Sequence, residues 1–293
     1  MKNECIICKN TKFTKITNNV RDSNNHKIVK CKKCSHVQLF PIPSLEEDMK
    51  FYNKNMQFKN QNYKISLKER EKKSSYDTER RISLITQFAK KKSKILEIGS
   101  GYGFFLKNMH KLGYDVTGVE ISSERRKILK RITNAPILSI NIDESIKTNE
   151  KFEFILLFQV LEHISNPINF LTNIQKLMKP NGKIFVEVPN IQDSQLKINK
   201  SYENWFWQRA HLNYFSPKML KKVLEKSGFK KNTMVGIQRH GIENMFHWKF
   251  FRKPQLKNTS YYSSPKTLDD FYKKLLEKDL NCDTILGIGT FIK

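Results

Sequence analysis

The stretch KILEIGSGYGFFLK, residues 94–107, places glycines at alternate positions between an apolar run and the start of a predicted helix. In an open α/β sheet the loop after a strand faces the ligand crevice, and the following helix offers unpaired N–H groups. We expect Gly99 to permit a sharp turn, Gly101 to let a ligand touch the backbone, and Gly103 to let the helix pack closely on the strand. This turn predicts a nucleotide-type ligand site.

An acid follows the next predicted strand. Glu120 ends the run DVTGVE about 20 residues after Gly99, where an acid usually accepts hydrogen bonds from ribose hydroxyls. A dinucleotide site would carry Gly or Ala directly after Gly103, but residues 104 and 105 are both Phe. The pattern therefore favours a nucleoside ligand over NAD.

Short apolar runs alternate with helical stretches from residue 94 onward, which is typical of a mostly parallel sheet with helices on both faces. Strands are predicted at 95–98, 115–120, 154–158, 183–188, 233–237 and 284–292, with a weaker one at 136–140. The sequence predicts an α/β fold with a Rossmann-like, seven-stranded, mostly parallel sheet.

Four of the five cysteines form two pairs, Cys5-x-x-Cys8 and Cys31-x-x-Cys34. Each Cys-x-x-Cys turn presents both sulfurs to one side, so the two turns can bring four thiolates to one tetrahedral ion. A reducing compartment and the regular spacing favour structural Zn²⁺ over disulfides or unrelated thiols. His36 could replace one cysteine, but a packing role is the simpler interpretation.

Length and composition indicate a folded chain. The 293 residues fit one large domain with additions, and 38% hydrophobic residues, including 20 Phe and 10 Tyr, provide a core. No run of about 18 apolar residues occurs, and no signal peptide is recognisable, so we expect a cytoplasmic protein without a membrane span.

The charge balance is strongly basic, with 54 Lys and Arg against 28 Asp and Glu, a net charge of +26. Nucleic acid is one partner that this charge would suit. The lysines are scattered, however, and no arginine-rich tract with interleaved aromatics is present, so solvated lysine faces are the simpler interpretation. A small anionic acceptor such as a nucleotide-linked molecule would also fit.

Four stretches together carry a family resemblance: EIGSGYG at 97–103, VE at 119–120, FEFILLFQVLEHISNP at 152–167 and LMKPNGKIFVEVPN at 177–190. They resemble the motifs of class I S-adenosylmethionine (SAM)-dependent methyltransferases over about half of the chain, 76–238. The resemblance implies that Glu97 meets the methionine amino group of SAM and that Glu120 binds its ribose. The implied cofactor residues are Glu97, Gly99, Ser100, Gly101, Gly103, Glu120, Ile121 and Phe158, with Asn141, Ile142 and Asp143 as candidates near the adenine.

Two further stretches resemble bacterial sugar methyltransferases that carry a cysteine-rich zinc module before the catalytic domain. Glu162 and His163 match a Glu-His pair after the fourth strand, and HLNYFSP at 211–217 matches an HLxYFS segment. In some of those enzymes the histidine of this segment is the general base and follows a Glu. Here Ala210 precedes His211, a departure that leaves the sugar and the methylated atom open.

The chemistry of methyl transfer requires a base when the acceptor is a hydroxyl or an activated carbon acid, and histidine titrates near neutrality. We predict His211 as this base, Tyr214 as its hydrogen-bonding partner, and His163 and Glu162 as further catalytic residues. Purely structural roles stay open: a turn cap for His211, packing for His163 and a core position for Tyr214.

The expected organisation has four parts: a four-cysteine zinc-binding module at 1–45, a methyltransferase core with an amino-terminal helical segment at 46–238, an insertion that completes the acceptor pocket at 239–283, and a final strand at 284–293. The aromatic run YENWFWQRAHLNYF, 202–215, is expected over the carboxyl ends of the strands. There it would either stack on a substrate or form a buried lid.

The leading hypothesis is methyl transfer from SAM to a small, nucleotide-linked sugar or surface-polysaccharide precursor. A competing hypothesis is an RNA methyltransferase that uses the basic surface and the zinc module. The strand end FQVL, 158–161, lacks the Asn/Asp-Pro-Pro-aromatic motif of many base-amine methyltransferases, which counts against RNA. A third hypothesis is a non-catalytic SAM-binding scaffold. The sequence does not indicate the oligomeric state.

Overall fold

The computed structural model describes residues 3–44, 46–47, 51, 66–138, 148–255 and 265–293. Its strands are β1 (Phe13–Thr17), β2 (Lys27–Cys31), β3 (Val37–Phe40), β4 (Lys94–Ile98), β5 (Asp115–Val119), β6 (Ile137–Leu138), β7 (Phe152–Phe158), β8 (Met178–Pro189), β9 (Asn213–Tyr214), β10 (Lys230–Ile237) and β11 (Thr284–Thr290). Its helices are α1 (Leu67–Thr86), α2 (Phe104–Lys111), α3 (Ser123–Ile132), α4 (Pro167–Gln175), α5 (Gln195–Ile198), α6 (Lys200–Phe206), α7 (Pro217–Lys226), α8 (Ile242–Phe251) and α9 (Lys266–Lys278).

The large sheet has seven strands in the order β10-β11-β8-β7-β4-β5-β6. The five strands from β8 to β6 are parallel, and β11 is antiparallel to both of its neighbours. This confirms the predicted Rossmann-like, mostly parallel sheet. The strand order reverses at β4, which lies between β5 and β7, so the ligand crevice is expected where β4 ends.

Side chains that alternate along the central strands reach two separate cores. Leu96 and Leu157 belong to one hydrophobic cluster, whereas Ile95 and Leu156 belong to a second cluster. Because successive residues of a strand point to opposite faces, the sheet is covered on both sides. This explains why consecutive residues are apolar at 95–96 in β4 and at 154–158 in β7, without alternation.

Several helix boundaries follow the predicted signals. The Ser216 hydroxyl accepts a hydrogen bond from the Met219 N–H at 3.2 Å, Pro217 is the first residue of α7, and Gly228 has a positive φ just beyond its end. No helix in the described part of the chain is both long and apolar enough to cross a membrane.

The cysteine-rich segment belongs to a second sheet of four strands, β1-β2-β3-β9. Strand β3 pairs antiparallel with β9, which lies within the HLNYFSP segment, through Val37 opposite Tyr214 and Gln38 opposite Asn213. The buried ring of His36 places Nε2 3.0 Å from the Asn213 Oδ1. The amino-terminal module therefore pairs directly with the segment that carries the predicted base.

The glycine turn has left-handed backbone at all three positions, with φ of +78° at Gly99, +57° at Gly101 and +81° at Gly103. A Cβ at Gly101 would meet no atom within 4 Å, which leaves open space beside the turn. A Cβ at Gly103 would lie 1.8 Å from Leu129 Cδ1, so the close neighbour is helix α3 and not the strand that we expected.

Gly103→Ala is expected to lower the free energy of unfolding by about 2–4 kcal/mol, because a left-handed alanine is strained and its methyl group overlaps Leu129. Gly113→Ala is the matched control, since Gly113 has φ of +83° and its Cβ would have only Lys91 Cδ, at 3.9 Å, as a neighbour. The free energy of unfolding of this control should fall by about 1–2 kcal/mol, because only the backbone strain of a left-handed alanine acts on it. Urea unfolding measures both values, and equal losses would contradict the packing argument.

Candidate active site

The predicted motifs meet at one edge of the large sheet. Strands β4, β5 and β7 run parallel, so their carboxyl ends, at Ile98, Val119 and Phe158, lie on the same side. The glycine turn follows the first of these ends, Glu120 follows the second, and the Glu162-His163 pair follows the third. The fold thus brings together residues that are up to 66 positions apart in sequence, counting from Glu97 to His163.

Glu120 is buried, and both of its carboxylate oxygens receive backbone hydrogen bonds. Oε2 accepts from the Gly101 N–H at 2.7 Å, and Oε1 accepts from the Ser122 N–H at 2.8 Å. Each oxygen keeps a second lone pair, so the carboxylate can still accept hydrogen bonds from two ligand hydroxyls. Ile121, which is 45% exposed, follows directly and offers an apolar surface at the rim.

Glu97 is a buried carboxyl group whose Oε2 has no hydrogen-bond partner among the described residues. Burial raises the pKa of Glu97 to about 8, although the nearby Arg81 guanidinium opposes this shift. The Ser100 hydroxyl donates to the Glu97 main-chain carbonyl at 2.9 Å and fixes the start of the turn. A cationic ligand group at this position would supply the missing partner.

The remaining predicted cofactor residues divide into two sets. Phe158 is buried, with its ring 5.6 Å from the Phe105 ring and the Arg81 guanidinium 4.5 Å from its centroid. It forms an apolar wall at the end of β7. Asn141, Ile142 and Asp143 lie outside the described residues, so their assignment stays a prediction.

An ion-pair network, which sequence reasoning missed, joins α1 to the sheet edge. Glu187 of β8 accepts hydrogen bonds from Arg80 and Arg81, and Asp77 accepts from Arg80 and Arg239. Burial alone would raise the pKa of Glu187, but the guanidiniums of Arg81 and Arg80 lower it below its ordinary value. The sequence signal for this network was Glu187, a single acid inside the apolar run IFVEV.

Three of the four predicted catalytic residues form one cluster. Glu162, His163 and His211 each place a carboxylate oxygen or ring nitrogen within 4.8 Å of the others. The two histidine rings are 5.0 Å apart between centroids. His163 Nδ1 lies 2.7 Å from the Ala210 carbonyl oxygen and donates to it, and the Leu212 N–H donates to the Glu162 carbonyl at 2.8 Å. These bonds join the two motifs of the sugar-methyltransferase resemblance.

Burial sets the protonation of this cluster. It raises the pKa of Glu162 to about 8 and lowers that of His163. It also lowers the pKa of His211 well below its ordinary value, with further contributions from His163 and Arg21. At neutral pH both imidazoles are therefore unprotonated, and the same burial disfavours the imidazolium that would form on proton transfer. One carboxylate and two imidazoles are also a donor set that could hold a divalent cation.

Tyr214 has a different contact from the one that we expected. Its hydroxyl accepts from the Gln208 N–H at 2.9 Å and donates to the Gln208 carbonyl at 3.0 Å, while its ring lies 5.8 Å from that of His211. The side chain nearest to the His211 nitrogens is Gln208, whose amide nitrogen lies 3.0 Å from Nε2. Arg21 in turn donates to Gln208 Oε1 at 2.6 Å. Tyr214 thus shapes the segment by holding the Gln208 backbone.

Most of the aromatic run is a buried lid. Tyr202, Phe206 and Trp207 pack with the strands of the amino-terminal sheet in one hydrophobic cluster. Trp205 is 41% exposed and lies under the Arg21 guanidinium at 4.6 Å. It is the member of the run that could stack on a ligand.

The four amino-terminal cysteines converge as the spacing predicts. The Sγ atoms of Cys5 and Cys34 are 3.5 Å apart, as are those of Cys8 and Cys31, and all four lie within 4.8 Å of one another. Zinc–sulfur bonds of about 2.3 Å in a tetrahedron would put the sulfurs roughly 3.8 Å apart. The donor set fits a structural Zn²⁺, which would cross-link the two turns, whereas His36 bonds Asn213 instead.

Cys31→Ser is expected to remove bound zinc and to lower the melting temperature, because three thiolates no longer close the coordination sphere. Cys282→Ser is the matched control, since this buried thiol lies outside the cluster and donates to the Thr284 carbonyl at 3.1 Å. Elemental analysis of the purified variants measures the metal. One equivalent of zinc retained by Cys31→Ser would contradict the assignment.

Comparison with known proteins agrees with this geometry. A family model described as a methyltransferase domain matches residues 70–233. The mitochondrial ubiquinone biosynthesis O-methyltransferase of Rattus norvegicus is 23% identical over an alignment of 174 residues, and the match covers 53% of this chain and 49% of that enzyme. The ubiquinone biosynthesis O-methyltransferase of Coxiella burnetii is 25% identical over an alignment of 180 residues, and the match covers 55% of this chain and 73% of that enzyme. The chain thus spans about half the length of the rat enzyme.

Solved structures share the fold. A SAM-dependent methyltransferase from Archaeoglobus fulgidus superposes with a TM-score of 0.52 at 19% identity, covering 74% of this chain and 93% of that one. A SAM-dependent methyltransferase from Thermotoga maritima superposes with a TM-score of 0.51 at 16% identity, and the match covers 82% of this chain and 96% of that one. From the family match, the fold and the motif geometry together, the chain belongs to the methyltransferase-domain family and is a class I SAM-dependent methyltransferase.

Proposed function

We propose that this enzyme methylates a small, nucleotide-linked sugar or surface-polysaccharide precursor with a histidine as general base. The observation that carries the proposal is the convergence of Glu162, His163 and His211. Glu162 and His163 follow Val160, whose Cγ2 atom would lie 2.5 Å from a Cβ at Gly99 of the glycine turn. SAM supplies an electrophilic methyl group when bound. The protein must then orient the acceptor in line with that methyl group and remove one proton.

The cofactor contacts follow from the groups at the sheet edge. Glu97 would receive the methionine ammonium, because its buried Oε2 lacks a partner among the described residues. Glu120 would accept from the ribose hydroxyls, and the open space at Gly101 would admit the cofactor against the backbone. Ile121 would cover the adenine from the rim. Together with Gly99, Ser100, Gly103 and Phe158, these residues form the proposed SAM site.

The base is proposed within the histidine pair. His163 donates from Nδ1 to Ala210, so its neutral tautomer carries the lone pair on Nε2, which lies 3.9 Å from a Glu162 oxygen. His211 is held beside it through Gln208 and Arg21, and it stays our first choice as the base. Burial keeps both rings unprotonated, so each has a ring nitrogen that can take the acceptor proton, and the bound substrates would have to offset the cost of the buried imidazolium.

Buried polar groups beyond β8 support a hydroxyl-rich acceptor. Gln195, Asn199, Asp283 and Tyr272 each carry at least one buried side-chain atom without a partner among the described residues. Orphaned polar atoms cost free energy unless a ligand or water binds them. The Asp283 carbonyl accepts from the Asn190 N–H at 3.0 Å, just past the carboxyl end of β8. Tyr272 and Asp283 come from the 239–283 segment that we expected to complete the acceptor pocket.

A second candidate is O-methylation of a ubiquinone precursor, which the names of the rat and Coxiella burnetii relatives suggest. RNA methylation and a non-catalytic SAM-binding scaffold are the third and fourth candidates. Structural zinc at the four-cysteine cluster and a cytoplasmic location stay predictions.

Transfer of labelled methyl from SAM should separate these four candidates. The panel consists of nucleotide-linked sugars, hydroxylated quinone precursors and total RNA. We expect product with a nucleotide-linked sugar. Labelling confined to the quinone precursors or to RNA would contradict the proposal, and no labelling of any acceptor despite SAM binding would support the scaffold.

Glu97→Gln tests the cofactor contact. The folded pKa of Glu97 is about 8, above its ordinary 4.5, so the wild-type residue costs stability as pH rises from 4.5 to 8. The variant should therefore be more stable than wild type at pH 8 and equally stable near pH 4, yet bind SAM about 10- to 100-fold more weakly. Thermal unfolding and calorimetry measure the two effects. The control is Glu124→Gln, at an exposed acid on α3, which should change neither the stability nor the SAM affinity. If Glu97→Gln were less stable than wild type at pH 8, the assigned burial of Glu97 would be contradicted.

His211→Asn and His163→Asn test the base. We expect the essential base to show a fall in kcat of about 10²–10⁴ with SAM affinity unchanged. His110→Asn, on the exposed end of α2, is the control and should keep full activity. Single-turnover methyl transfer measures the loss. Full turnover in His211→Asn with normal SAM affinity would remove His211 as the base and leave His163.

A further inference from the structure

Helix α9 presents an uncovered apolar stripe. None of its 13 residues is buried. Leu268, Phe271 and Leu275 are 45%, 65% and 50% exposed, and their spacing of three and four residues puts them on one side of the helix. We call these three residues the α9 stripe. Monomeric proteins rarely leave such a row of large apolar side chains uncovered without an interaction partner.

The neighbouring helix α8 carries a further exposed aromatic residue. The Ile242 N–H at its start donates to Asp269 Oδ1 of α9 at 2.8 Å, so the two helices are in contact. Phe250 near the end of α8 is 62% exposed. Both helices join the sheet at the ligand edge, because β10 ends just before α8 and Thr284 of β11 lies opposite Pro189.

The exposed charges of α8, α9 and their flanks are mostly positive. The exposed charged residues of the two helices and their flanks are Lys249, Arg252, Lys253, Lys266, Lys274 and Lys278, against Asp270 and Asp279. Lys274 and Lys278 follow Phe271 by three and seven residues and share its side of the helix, where Asp279, four residues after Leu275, is an exposed acid. The half-buried acids are engaged inside the protein: Asp269 pairs with Lys273 at 2.9 Å, and Glu277 accepts from the Gln238 N–H.

Apolar residues bordered by lysines on one exposed helix face are typical of helices that lie in the plane of a membrane surface. A second copy of the chain fits less well, because two faces of like charge on chains of +26 would repel each other. We infer that α9 docks on an anionic lipid bilayer, with the α9 stripe at the headgroup boundary and its lysines on the lipid phosphates. This inference does not depend on the identity of the methyl acceptor.

The test uses the full-length protein and vesicles of phosphatidylcholine, with or without phosphatidylglycerol. We expect co-sedimentation with the anionic vesicles, weak binding to the neutral ones, and a loss of affinity as salt rises. The double variant Phe271→Ser, Leu275→Ser should bind the anionic vesicles at least about tenfold more weakly, because it removes apolar contact without changing charge.

Ile16→Ser, an exposed apolar residue of β1, is the control and should bind like wild type. SAM affinity, measured in parallel, shows that each variant is folded. Equal vesicle binding by the double variant and wild type would overturn the inference, and so would no binding to anionic vesicles. A dimer in light scattering that the double variant converts to monomer would also overturn it, since the stripe would then be an interface between copies.

Discussion

The left-handed turn at the end of β4 is the constraint on which the site depends. Three residues with positive φ carry the chain from the sheet into α2 and leave the space beside Gly101 open. In the same turn the Gly101 N–H donates a hydrogen bond to Glu120. The loop after β4 therefore fixes the acid that follows β5. A side chain at Gly103 would overlap Leu129, so the turn also sets how closely α2 and α3 pack.

The two histidines of the proposed active site are held by residues of the amino-terminal module. Strand β3 of the cysteine-rich module pairs with β9, and Arg21 reaches Gln208 beside His211. Asn213, bonded to His36, also donates to the Ile164 carbonyl at 2.7 Å, next to His163. The module therefore has a role besides the proposed metal site: it supports the geometry of residues 208–214, which carry His211.

The predictable parts of this protein are those with a local pattern or a fixed topological consequence. Parallel strands must end at one edge, so the convergence of Glu97, Glu120 and Glu162 followed from strand assignment alone. The pairing of Arg81 with Glu187 could not be predicted in this way, because it depends on which face of α1 packs against the sheet. Likewise, the two-residue strand β9 is too short to give a pattern, and its pairing decides that Tyr214 bonds Gln208.

The central claim is that the crevice between Glu97 and Glu120 binds the cofactor. A crystal structure with S-adenosylhomocysteine tests it most directly. The account predicts that the amino group contacts the Glu97 carboxylate, that the ribose hydroxyls donate to Glu120, and that the sulfur faces the pair His163 and His211. A nucleoside bound elsewhere, or a crevice filled by the protein's own side chains, would contradict it.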